Sequence, residues 1–91
     1  MNKQRRNAIE KKVSELETIK DMLEGVKIDL EELQSEEEDT FDALPESFQY
    51  GEKGETVQEN IDNLDDACYN IDDIISNLDD VINTLNEVIE R

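Results

Sequence analysis

The chain has 91 residues, 26 acids against nine bases for a net charge of −17, one Cys, and neither His nor Trp. That length allows one domain at most, residues 1–91, with a limited core, so association with another chain is a simple route to stability. The charge disfavours direct binding to nucleic acid or to an acidic membrane surface, because phosphate contacts need Lys and Arg. One cysteine excludes an internal disulfide framework.

Residues 1–12 hold five of the nine bases (Lys3, Arg5, Arg6, Lys11, Lys12) and only Glu10 among the acids. No apolar run follows this basic start, so it does not read as a signal peptide, and nothing approaches the ~20 apolar residues of a spanning helix. A cytoplasmic protein is expected. Lys3, Arg5 and Arg6 are candidates for a phosphate-bearing ligand, as in an oligomeric nucleotide-binding sponge. A solubilised helix terminus is the other explanation of the same bases.

The first helix is expected over about 4–42. Ile9, Leu16, Leu23 and Leu30 repeat every seven residues, with Ile19, Val26 and Leu33 three residues after the later members. Glu10, Glu17, Glu24, Glu31 and Glu38 occupy one heptad position beside this stripe, and Val13, Lys20 and Lys27 occupy the a position. Gly25 in the interior costs about 1 kcal/mol relative to Ala. Pro45 ends the helix, because its ring blocks continuation and pushes the preceding residue out of the α region.

Residues 45–55, with Gly51 and Gly54, read as a loop. Phe41, Phe48 and Tyr50 supply three of the four aromatics on or beside it. They are candidate partner anchors or a plug over the end of a helix pair. Thr56 with Glu59 three residues on has the form of a capping box, placing the second helix at 57–90.

That helix is five consecutive heptads, four of them nearly superimposable: LDDACYN, IDDIISN, LDDVINT and LNEVIER. The d set is Val57, Leu64, Ile71, Leu78 and Leu85, and the a set is Ile61, Cys68, Ile75, Ile82 and Ile89. Ala67, Ile74, Val81 and Val88 make g apolar too, a stripe wider than one partner helix covers. Paired acids stand at e and f (Asp65/Asp66, Asp72/Asp73, Asp79/Asp80), and Asn63, Asn70 and Asn77 stand at c, so the opposite face reads as anionic and amide-rich.

The expected fold is all-α: a long antiparallel αα-hairpin, coiled-coil-like, dimerising into a four-helix bundle. Facing residues would have numbers summing to about 100. That sets Lys20 against Asp79/Asp80, Lys27 against Asp72/Asp73, and Arg5 and Arg6 near Glu87 and Glu90. A parallel self-zipper of the second helix gains no such charge matching.

Without His, with Cys68 at a core position and with no Gly-rich phosphate loop or Ser-based motif, no enzyme and no cofactor is expected. Glu59, Asp62 and Asp66 stand at i, i+3 and i+7, but an EF-hand loop is lacking, so diffuse cation condensation is expected and no defined metal site. The remaining candidate is the acidic face of Asp62, Asp65, Asp66, Asp72, Asp73, Asp79 and Asp80. Such a rod of evenly spaced charge imitates a nucleic-acid backbone and suits a basic, nucleic-acid-handling protein. The alternative is a solvated face on a structural or oligomerisation module. Asp and Asn are poor helix formers, so their fixed heptad positions exceed what solubility requires.

The MNKQRR start, the Glu-rich heptad helix, the LPESFQYGEKGE loop and the repeated I/LDD units together resemble small acidic helical-hairpin proteins of Firmicutes phages and mobile elements. That resemblance spans the chain and implies an inhibitor of host defence, such as a DNA mimic, acting inside the bacterial host cell. It carries over no assigned functional residues.

Overall fold

The structure is a computed structural model describing residues 1–91. It is all-helical: α1 runs Lys3–Ala43, a single turn α2 spans Glu46–Gln49, and α3 runs Glu52–Glu90. Neither long helix has a stretch apolar enough to cross a membrane.

Asn2 caps α1, its Oδ1 accepting the Arg5 backbone N–H at 2.8 Å, which satisfies one of the four donors a helix start leaves open. At the other end Pro45 stops the helix and enters α2, where its carbonyl accepts from Phe48 and Gln49 at 2.8 and 3.1 Å. The Gln49 side chain reaches back and donates to the Phe41 and Leu44 carbonyls at 3.2 and 3.3 Å, capping the end of α1.

The link to α3 is shorter than the expected 45–55 loop. α3 starts at Glu52, so Thr56 lies inside it and donates its hydroxyl to the Glu52 carbonyl at 3.1 Å instead of capping position 57. Glu52 and Glu55 occupy the first turn, where carboxylates suit the positive end of the helix dipole. Gly54 is buried in that turn. A Cβ there would clash with the Gln49 carbonyl and lie 2.6 Å from the Phe48 carbonyl oxygen, so its lack of a side chain permits the close approach of α2 to α3.

Contacts divide the chain into two compact units, Val26–Asn70 and Met1–Gly25 with Ile71–Arg91. Val26–Asn70 is a helix–turn–helix hairpin. Gln34 meets Ile61 and Asp65 while Glu37 meets Asn60, an antiparallel order. Its core is Val57, Ile61 and Cys68 from α3, facing the less exposed edge of α1 at Lys27, Leu30, Gln34, Glu37, Phe41 and Leu44. The second unit pairs Met1–Gly25 with Ile71–Arg91. Val13 and Ile82 are its most buried residues, and Arg6, Ile9, Leu16, Lys20 and Leu23 line the same edge of α1.

Shielded residues on α1 alternate at spacings of three and four from Arg6 to Leu44, the seam of a coiled coil. Every a and d residue of α3 from Val57 to Ile89 is shielded, whereas the a positions of α1 hold Arg6, Lys20, Lys27 and Gln34 beside Val13 and Phe41. The seam is apolar on α3 and mixed on α1.

Candidate functional site

The polar a residues of α1 meet the acids that border the α3 seam. Lys20 Nζ lies 2.7 Å from Asp79 Oδ1, joining helices 59 residues apart in sequence at the register expected for this pair. The hydrogen bond to Asp79 raises the Lys20 pKa above its ordinary 10.5, and the charges of Asp79, Glu24 and Asp21 act in the same sense against desolvation. In the other unit Lys27 Nζ stands 3.7 Å from Glu31 Oε1, and Gln34 Nε2 donates at 3.4 Å both to Asp65 Oδ1 and to the Ile61 carbonyl. Arg5 and Arg6 form no ion pair with Glu87 or Glu90. Arg6 lies half-buried along the seam edge, its Nε shielded and without a hydrogen-bond partner, while Lys3 and Arg5 are exposed. These three bases do not share one environment.

The e positions are acidic on α1 from Glu10 to Glu38 and on α3 from Asp65 to Asp79, with Gln58 and Asn86 at the two ends of α3. Met1–Gly25 with Ile71–Arg91 has Glu10, Glu17 and Glu24 on α1 with Asp72 and Asp79 on α3, and Val26–Asn70 has Glu31 and Glu38 with Asp65. Asp66, Asp73 and Asp80 stand one residue further out, exposed. Asp62 is exposed and accepts from Gln58 Nε2 at 3.1 Å. From Gly54 to Glu90, α3 has eleven acids and no base. No group of three or more Asp, Glu, Cys or His side chains is placed to hold a metal ion.

The opposite flank of α3 differs in kind. Over Ile71–Arg91 its g and c positions up to Val88 are Ile74, Asn77, Val81, Thr84 and Val88, without a charge. Ile74 is 47% exposed and Val81 46%. A shallow groove of about 230 Å³ on this flank is lined by Val81, Thr84 and Leu85 together with Asp80. In Val26–Asn70 a groove of about 340 Å³ is lined by Glu37, Asn60, Asn63 and Leu64. Asn63 and Thr84, both at c, therefore border the d residues Leu64 and Leu85, whereas the sequence reading grouped the c-position amides with the aspartates. The period alone separates c from g by three residues, one turn apart on the same flank.

The aromatics part company. Phe41 is half-buried in the seam, beside a groove of about 280 Å³ that it lines with Glu38, Asp42, Gln58 and Ile61, while Phe48 and Tyr50 are 52% and 82% exposed. Gln49, between them, is the residue that joins α2 to α1, and no short-range sequence rule marks it for that task. Cys68 is buried at its a position.

Comparison with family models, curated proteins and solved structures returns no match to this chain.

Proposed function

We propose that the chain is a non-enzymatic protein-binding module, an inhibitor or adaptor whose acidic flank engages the basic surface of a nucleic-acid-handling protein. The carrying observation is that the charge of α3 is one-sided. Asp72, Asp73, Asp79, Asp80 and Glu87 hold every e and f position of Ile71–Arg91 except Asn86, while Ile74, Asn77, Val81, Thr84 and Val88 leave the other flank neutral. Charge kept only for solubility has no reason to spare one flank of an exposed helix. A directional row of carboxylates steers a basic partner and fixes its orientation.

In this reading Asp62, Asp65, Asp66, Asp72, Asp73, Asp79 and Asp80 are the contact residues, with exposed Phe48 and Tyr50 as apolar contacts at the turn. The working form is a long αα-hairpin paired with a second copy in a four-helix bundle. The sequence resemblance points to a phage-encoded anti-defence role in the bacterial cytoplasm. A structural module is the second reading, favoured by the exposed apolar residues Ile19, Ile74 and Val81.

The test uses the partner captured from a bacterial lysate, identified, and titrated calorimetrically with wild-type chain and with Asp65, Asp66, Asp72, Asp73, Asp79 and Asp80 all changed to Asn. Loss of binding by at least about tenfold, about 1.4 kcal/mol, together with competition by duplex DNA, is expected. Unchanged affinity of the Asn variant sinks the acidic-flank reading and leaves the structural one.

A further inference from the structure

Two chains of net charge −17 repel one another wherever their acids face. A second copy can approach only where charge is missing, and α3 provides such a surface in Ile74, Asn77, Val81, Thr84 and Val88. The corresponding flank of α1 is interrupted. Ile19 and Met22, 45% and 67% exposed, are apolar there, but Glu15 and Lys12 share the same g and c positions.

The polar members of the α3 flank fit a self-pairing surface. Asn77 both donates and accepts hydrogen bonds, so it can face its own copy without leaving a buried charge or a mismatched donor, while the Thr84 hydroxyl donates to the Asp80 carbonyl at 2.9 Å and keeps acceptor capacity. Carboxylates cannot do this, since two like acids brought together across a twofold axis oppose each other. The flank also has a simple antiparallel register. With the axis between Asn77 and Leu78, Ile74 is level with Val81 in both directions and the two copies of Asn77 lie within one residue of each other along the axis, the isologous pattern of a twofold dimer.

We propose that the neutral flank of α3 is the docking surface for a second copy, α3 against α3 in antiparallel sense about an axis between Asn77 and Leu78. This rests on the dimeric form taken above and adds its surface and register. The groove lined by Asp80, Val81, Thr84 and Leu85 receives Ile74 of the other copy against its apolar residues, and Asp72, Asp73 and Asp79 are left for a different partner.

The test combines mass and cross-linking on the full chain. Sedimentation of the wild type is expected to give a dimer, and Val81→Glu, at a half-exposed position the single chain tolerates, is expected to weaken it by about a hundredfold while helicity by circular dichroism is retained. In a Cys68→Ala background, Asn77→Cys is expected to form a covalent dimer on mild oxidation, and Asp73→Cys, on the acidic flank, is not. A wild type that is monomeric throughout overturns both the dimer and this surface. A dimer that survives Val81→Glu, or that cross-links through Asp73→Cys and not Asn77→Cys, overturns the surface alone.

Discussion

Gly25 and Gly54 have the same backbone composition and opposite roles. Around Gly25 a Cβ meets nothing within 4 Å, and the residue is exposed in mid-helix, so nothing in the chain itself requires glycine there. Gly25→Ala is expected to stabilise by about 1 kcal/mol through helix propensity and a less flexible unfolded state. At Gly54 the Gln49 and Phe48 carbonyls occupy the space of a Cβ. These are backbone atoms, so they yield only if α2 shifts and Gln49 loses its hold on the end of α1. Gly54→Ala is expected to destabilise, by about 1 to 3 kcal/mol. Thermal melts followed by circular dichroism check both. A fall in Tm for Gly25→Ala would mean that a partner surface approaches position 25 closely.

Across the elements, Lys20 and Asp79 join α1 to α3, and the pair gives stability a signature at high pH. Because the folded pKa of Lys20 lies above its ordinary value, its contribution is complete below the ordinary lysine range and is lost as pH rises through the raised value. Asp79→Asn is expected to flatten the decline in denaturant midpoint as pH rises through and beyond the ordinary lysine range, relative to wild type. An unchanged slope would show that the pair contributes nothing to folding. This pairing was legible in the sequence, since the heptads define the seam and the turn at Pro45 sets the pivot. The start of α3 was not. Thr56 and Glu59 have the spacing of a capping box, and Gly51 and Gly54 have the composition of a loop. What overrides both is the packing of α2 on α3 at Gly54, a contact with Gln49 that no local rule carries. The acids and the apolar g positions were equally plain from their repeat, and the grooves add that Asn63 and Thr84 at c border Leu64 and Leu85.

For the whole molecule, charge is the dominant condition. The ion pairs Lys12–Glu15, Lys20–Asp79 and Lys27–Glu31 offset little of a net −17, and two of them lie within α1. Exposed pairs of that kind contribute about 0 to 1 kcal/mol each, whereas the e positions hold Glu10, Glu17, Glu24, Glu31 and Glu38 on α1 and Asp65, Asp72 and Asp79 on α3. Repulsion therefore exceeds attraction, and salt, which screens both, has a net stabilising effect. Shortening the screening length from about 30 Å at 0.01 M to about 10 Å at 0.1 M leaves neighbouring acids coupled but separates successive heptads, which lie ~10.5 Å apart along the helix. Tm at one protein concentration is expected to rise by about 5 °C or more between about 0.01 and about 0.5 M NaCl, equivalent to about 1 kcal/mol for a chain of this size. A Tm that falls with salt would show that the ion pairs outweigh the repulsion. The same screening is expected to slow capture of a basic partner, because steering by the acidic flank weakens as its field contracts. Salt thus separates the two consequences of the aspartate repeat: relief of a strained folded state, and loss of the long-range attraction that the repulsion makes available to a partner.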